Sequence, residues 1–196
     1  LPWACGWFRR DAHRPAAYLN ILLTLLAFAH GSLILQEVYQ SGPVDLAFPW
    51  LSVADLELNI SFSLSLTNLV ALELITGLSL LSQVYSLGYM DKEWALARFF
   101  ALLGFFEGAM SGVVLSDSLF QSYFLLEMLT LSTYLLVGFW YAQPLVVTAA
   151  RDAFLTKRVG DVLLLMGVVA LCSYSGVMGF NDLYAWAAQD LSLIHI

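Results

Sequence analysis

The chain has 196 residues, 60% of them hydrophobic and only 12% charged, with a formal net charge of −7 and a mean hydropathy of +0.78. A soluble domain of this length carries about 25% charged and about 45–50% apolar residues, so a water-soluble globule is excluded. The two cysteines, Cys5 and Cys172, are far apart beside separate apolar runs and match no metal spacing; they read as small buried hydrophobes.

Residues 1–17 lack the order of a secretory signal, because Arg9, Arg10 and Arg14 follow an apolar start and no cleavage site comes after them. The first residue is Leu1, and LPWACGWF reads as the tail of an earlier helix. LSLIHI breaks the polar pattern before it. A fragment at both ends is expected.

The first complete apolar run is Tyr18 to Tyr39, carrying His30. A connection follows in which Asp55 to Phe62 alternates polar and apolar, the period of a half-buried strand. It predicts a short β-hairpin or extended lid on the membrane face. The second span runs from about Leu64 to Ser86 and contains Glu73. A polar turn, Gly88 to Arg98, leads into a third span ending at Leu115 and containing Glu107. Leu119 to Tyr141 forms the fourth, almost wholly apolar with Glu127 inside, long enough for the roughly 30 Å of a bilayer core. Pro144 breaks that helix. The fifth span, about Asp161 to Tyr174, either follows a helical stretch holding Arg151, Asp152, Lys157 and Arg158 or begins within it. Phe180 to Gln189 reads as a surface segment.

All eight lysines and arginines precede span one or lie between spans two and three or four and five. The other connections hold only acids: Asp45, Asp55 and Glu57, then Asp117, then Asp182 and Asp190. Basic residues stay cytoplasmic, so the basic side is cytoplasmic, or stromal in an organelle.

Counted from the outer helix ends, Glu127 and Glu107 lie about 12 Å deep, and Glu73 and His30 about 14 Å. Ionisable groups inside a membrane are costly and mark functional sites. Two readings compete. The acids either pack helices together through hydrogen bonds, or titrate as a coupled set that passes protons. His30 is also explained by hydrogen bonds to Thr24 or Ser32. No lysine lies in these five spans to modulate the acids. Arg158 and Asp161, three apart on one helix face at the cytoplasmic end, either bias a nearby carboxylate or anchor the helix by snorkelling.

LEMLTLSTYLLVGFWY followed by ARDAFLTKRVGDVLLLMGVVAL resembles the large antiporter-like membrane subunit of type I NAD(P)H–quinone oxidoreductases, called subunit 5, or F in cyanobacteria and chloroplasts. The likeness runs from about Ser65 onward. It implies an all-α, polytopic transmembrane helix bundle, here residues 1–196 as the N-terminal part of a proton-translocating domain. Glu127 matches the family's membrane acid, and Arg158 and Asp161 of RVGD match its supporting charges. The partner lysine is expected beyond Ile196. The chain would be part of a translocase and hold no redox centre; plastoquinone and Fe–S clusters would belong to other subunits.

Glu73 and Glu107 stand where the family is usually uncharged, and Ser65 or its neighbours where many members carry an aspartate. With HRPAAY and GYMDKEW, these departures resemble the cyanobacterial F subunit of the carbon dioxide-uptake complex, in a thylakoid membrane. That resemblance implies other membrane subunits and a cytoplasmic zinc protein that hydrates carbon dioxide as partners, with Tyr18 and Glu93 facing the latter. No nucleic-acid partner is implied. A Mrp-type cation/proton antiporter subunit, which shares these helices, stays open as the alternative.

Overall fold

The computed structural model describes residues 14–53, 56–90, 93 and 95–191. The segment with Cys5, Arg9 and Arg10, the hairpin tip with Asp55, Lys92 in the polar turn before the third span, and residues 192–196 lie outside the described residues. In chain order the elements are α1 (Arg14–Ser41), β1 (Val44–Val53), β2 (Leu56–Leu64), α2 (Leu66–Tyr89), α3 (Leu96–Leu115), α4 (Leu119–Val137), α5 (Pro144–Ser175) and α6 (Phe180–Leu191).

Helices α1 to α4 are each long and apolar enough to cross a membrane. Large apolar side chains cover their outer faces, as lipid demands: Leu33 is 66% exposed and Leu81 68%. α5 has 32 residues and carries Arg151, Asp152, Lys157, Arg158 and Asp161. It runs back along the whole of α4. At the basic end the rings of Tyr134 and Phe154 lie 4.8 Å apart. At the other end the Leu119 N–H donates to the Met178 carbonyl at 3.0 Å, and Ser118 bridges Gly179. α5 is therefore the fifth crossing. It starts at Pro144, not near Asp161, because a proline at the first helical position needs no N–H partner and nothing later in the charged stretch breaks the helix. Its end is set by Gly176, whose φ of +72° is the left-handed cap that favours glycine.

The predicted hairpin is present. β1 and β2 pair antiparallel from Val44↔Leu64 inward, with a register shift between Pro49 and Leu51 where the proline cannot donate. The hairpin lies over the outer ends of α3 and α4. The Asp117 N–H donates to the Ser61 carbonyl at 3.1 Å, and the Ser61 N–H to Gln121 Oε1 at 2.8 Å. Ser65 caps α2 by accepting from the Asn68 N–H.

The two ends of the bundle are held differently. At the basic end Ala17, Met90, Ala95, Leu96, Phe100 and Phe139 form a buried apolar cluster, and the Arg98 guanidinium sits 5.2 Å from the Tyr141 ring centroid. At the outer end backbone hydrogen bonds dominate, and Asp117 is central to them, its carbonyl accepting from the Phe180 N–H at 3.1 Å.

Burial, then the neighbouring Asp45 and Asp182 carboxylates, hold the Asp117 carboxyl above its ordinary 3.8. The folded turn thus binds a proton more tightly than the unfolded chain does. Its stability is fullest below about 3.8 and declines as pH rises through the raised value. Asp117→Asn is expected to remove this decline, measured as hydrogen exchange of the Asp117 and Phe180 amides against pH. A pH slope equal to that of the unsubstituted chain would contradict it.

Candidate functional site: two separate buried centres

Pairs across neighbouring helices give the relative levels of the side chains. Between α4 and α5, Tyr134 meets Phe154, and the Lys157 ammonium donates to Thr133 Oγ1 at 3.3 Å. That register sets Arg158 level with about Leu131, so its guanidinium reaches roughly one turn, ~6 Å, outward to Glu127. The guanidinium donates to Glu127 Oε2 in a close ion pair and lies 4.9 Å from the Phe154 ring centroid. Tyr123, one turn before Glu127 on the same face, donates its hydroxyl to Oε1 at 2.7 Å. Each oxygen of Glu127 thus has its own partner. The same register places Asp161 beside Met128, next to Glu127, with a buried Oδ2 that has no hydrogen-bond partner.

Arg158 and Asp161 are therefore not at the membrane boundary, where counting from the Asp161 start of a short fifth span had placed them. They belong to the interior of α5, and Arg158 supplies the cation beside Glu127. The pairing suits arginine, whose charge persists at any working pH and whose fork fits a carboxylate.

The second centre lies between α1, α2 and α3. Thr24 Oγ1 donates to Glu107 Oε2 at 2.8 Å, and Gln83 Nε2 donates to the same oxygen at 2.9 Å and to Thr24 Oγ1 at 2.9 Å. All three residues are buried: Thr24 is 4% exposed, Gln83 1% and Glu107 7%. Gln83 on the descending α2 and Glu107 on the ascending α3 each lean toward their own helix N-terminus, which closes the gap between them.

Glu73 stands apart. Its Oε2 accepts from the Ser32 hydroxyl at 3.0 Å, and its Oε1 is buried without a partner. Ser32 follows Thr24 by eight residues on α1, so Glu73 lies about 12 Å outward of Glu107. His30 is exposed on the outside of α1. The expected layer of four groups at one depth therefore reduces to Glu107 and Glu127. Gly112 packing on Leu125 sets Glu107 level with Thr130, within about one turn of Glu127. The counting failed for Glu73 and His30 because α1 and α2 project beyond the outer end of α3. Thr24 and Ser32, the hydroxyls assigned to His30, serve Glu107 and Glu73 instead.

Gly31 explains how Glu73 fits. A Cβ there would stand 2.3 Å from Glu73 Oε1, the far end of a flexible side chain. Gly31→Ala is expected to leave assembly intact, since about 1 kcal/mol of helix propensity offsets the lost Ser32 bond. The displaced carboxylate should react faster with a carbodiimide, and an unchanged labelling rate at Glu73 would refute this.

Tyr18 is exposed on the second turn of α1, and Glu93 is half-buried in the α2–α3 turn, its N–H donating to the Met90 carbonyl at 3.0 Å. Both stand at the basic end. Among the described residues no group of three or more His, Cys, Asp or Glu is placed to hold a metal ion. Sequence reading missed Tyr123 and Gln83. Their signals were a hydroxyl four residues before the membrane acid and a lone amide within an apolar run.

Residues 50–100 match the family model for the N-terminus of NADH-ubiquinone oxidoreductase (complex I) chain 5, and residues 116–195 match that for the NADH:quinone oxidoreductase/Mrp antiporter transmembrane region. Over 192 residues the chain is 75% identical to NAD(P)H-quinone oxidoreductase subunit 5, organellar chromatophore 2, of Paulinella chromatophora, covering 97% of this chain and 31% of the relative. It is 34% identical over 185 residues to the chloroplastic subunit 5 of Lotus japonicus, covering 94% of this chain and 24% of that one. The chain thus spans about a quarter to a third of the length of these relatives. Among solved structures, a chain of the Mrp complex from a Dietzia species superposes with TM-score 0.69 at 21% identity, over 89% of this chain and 18% of that one. A chain of the archaeal membrane-bound sulfane sulfur reductase superposes with TM-score 0.74 at 16% identity, over 85% of this chain and 34% of its own.

Proposed function

Because the chain belongs to the antiporter-like subunit 5 family of NAD(P)H–quinone oxidoreductases, we propose that it forms the N-terminal part of a proton-translocating membrane subunit, with Glu127, Arg158 and Asp161 on the proton path. The observation that carries this reading is the Glu127–Arg158 ion pair inside the bundle, with the free oxygen of Asp161 beside it. A carboxylate in a low-dielectric setting releases a proton as a cation approaches and takes one up as that cation withdraws. Glu73 and His30, at other depths, are at most entry points on the outer side. Work of translocation comes from redox chemistry in other subunits, where plastoquinone and the Fe–S clusters reside. The test is proton uptake by vesicles holding the full-length complex with Glu127→Gln.

The finer reading is the carbon dioxide-uptake form in a cyanobacterial-type thylakoid membrane, partnered by the other membrane subunits and by a cytoplasmic zinc-containing carbon dioxide-hydrating subunit. Its support is the presence of Glu73 and Glu107, both within hydrogen-bonded networks, and of Tyr18 and Glu93 at the basic end where such a subunit would dock. Deleting the full-length gene is expected to slow growth in air and to leave growth at raised carbon dioxide unchanged. Equal growth defects under both conditions would instead favour a purely respiratory role. A Mrp-type antiporter would show sodium-dependent growth and no link to quinone reduction.

A further inference from the structure

The Glu107 cluster differs in kind from the Glu127 centre. Among the described residues its carboxylate has no cation partner: both observed hydrogen bonds come from neutral groups, Thr24 on α1 and Gln83 on α2. From α4, Thr130 is the residue at its level, and Glu127 lies about one turn outward and is engaged by Arg158 on α5. Glu73, the other acid on α2, is about 12 Å away along the bundle.

The hydrogen-bond directions are one-sided. Thr24 Oγ1 and Gln83 Nε2 both donate to Glu107 Oε2, Nε2 donating also to Thr24 Oγ1, and Gln83, 99% buried, is left with an Oε1 that has no partner. An orphaned acceptor in such a setting is rare and calls for an explanation. The side-chain amide of glutamine presents a donor at one corner and an acceptor at the other, nearly identical in shape. Turning it over exchanges the two without moving the backbone. The orphan is then consumed if Glu107 carries a proton, because the new O–H needs an acceptor where Nε2 now stands. Gln83 also lines a cavity of about 210 Å³ between α2 and α3, together with Ser79 and Ser82. The other lining residues are apolar, so water enters it beside Ser79, Ser82 and Gln83, where it can deliver such a proton.

We propose that Glu107, Gln83 and Thr24 form a second proton-binding site, distinct from the Glu127–Arg158 centre, in which the Gln83 amide reverses when Glu107 is protonated. In the ionised state Gln83 Nε2 and Thr24 Oγ1 both donate to the carboxylate, as observed. On loading, a hydronium ion in the cavity breaks an O–H bond, transfers its proton to form an O–H bond on Glu107, and leaves a water molecule. That hydroxyl donates to Gln83 Oε1, Thr24 continues to donate to the acid, and Nε2 turns toward the cavity. No electrons move, and one positive charge enters the cluster. Gln83 is a positioning residue here. The inference deepens the proton-translocation reading by adding a site, but proton binding itself does not depend on transport.

The experiment is infrared difference spectroscopy of the full-length protein in its complex, titrated with acid and base. A protonated-carboxyl C=O band is expected that disappears in Glu107→Gln. In Gln83→Leu the proton affinity read from this band should change about tenfold, and Thr24→Val should move the band frequency without removing it. Absence of any band that Glu107→Gln removes overturns the site. A band whose titration is unmoved in Gln83→Leu overturns the amide reversal. Co-purification of the remaining subunits with each variant separates a folding failure from either result. Loss of pumping in Glu127→Gln with this band intact separates the two centres.

Discussion

Glu127→Gln is expected to abolish proton translocation by the full complex while leaving its assembly intact. The amide is nearly isosteric with the carboxylate, so Tyr123 still has an acceptor at 2.7 Å and the α4 backbone is undisturbed. What disappears is the group that ionises. Arg158 then faces a neutral amide, one of whose corners is a donor that repels it. Proton uptake by energised vesicles should fall to the level of leak, with subunit stoichiometry unchanged on purification. Translocation at the unsubstituted rate would remove Glu127 from the path and return it to a packing role. Glu127→Asp, which keeps the charge but shortens the reach to Arg158, should retain a fraction of activity.

Arg158→Met is the second large effect. Removing one partner of a buried ion pair costs about 3–5 kcal/mol when the other charge is left uncompensated, whereas removing both is often neutral. This pair is only partly buried, with side-chain exposures of 41% for Arg158 and 18% for Glu127. The effect should therefore sit below that range, at about 1–2 kcal/mol. Translocation should drop by at least about tenfold, the effect of some 1.4 kcal/mol on a barrier. Arg158→Lys should recover part of it, since lysine keeps the charge but loses the fork and the stacking on Phe154. The double variant Glu127→Gln with Arg158→Met should be more stable than Arg158→Met alone, as contacting residues are non-additive. Equal thermal stability of the two would mean that the ion pair carries no coupling.

Both predictions rest on a geometry in which the cation comes from α5. Its source is the length of that helix. Had it begun near Asp161, Arg158 would be a loop residue at the membrane surface, free to snorkel. Because it begins at Pro144, its inner half lies against α4 and delivers Arg158 toward the level of Glu127. The basic residues at that end thus include one drawn along α4 toward Glu127. Arg14, Arg98 and Arg151 remain at the basic end.

The membrane-spanning runs and the hairpin were legible in the residues themselves. Hydrophobic length and strand alternation are local properties, and a bilayer permits no span that leaves backbone groups unpaired. The cost of a charge in lipid likewise belongs to the residue, whatever its neighbours. Depth and partnership were not legible. They depend on how far each helix slides past the next, and that is decided by contacts between residues distant in sequence: Gly112 against Leu125, Thr24 against Glu107, Ser32 against Glu73, Phe154 against Tyr134. A stagger of two turns leaves every helix equally apolar and equally long, so composition and periodicity do not register it. The tertiary structure alone divides the four ionisable groups into a charged centre at Glu127, a neutral-partnered one at Glu107, an outlying Glu73 and an outward-facing His30.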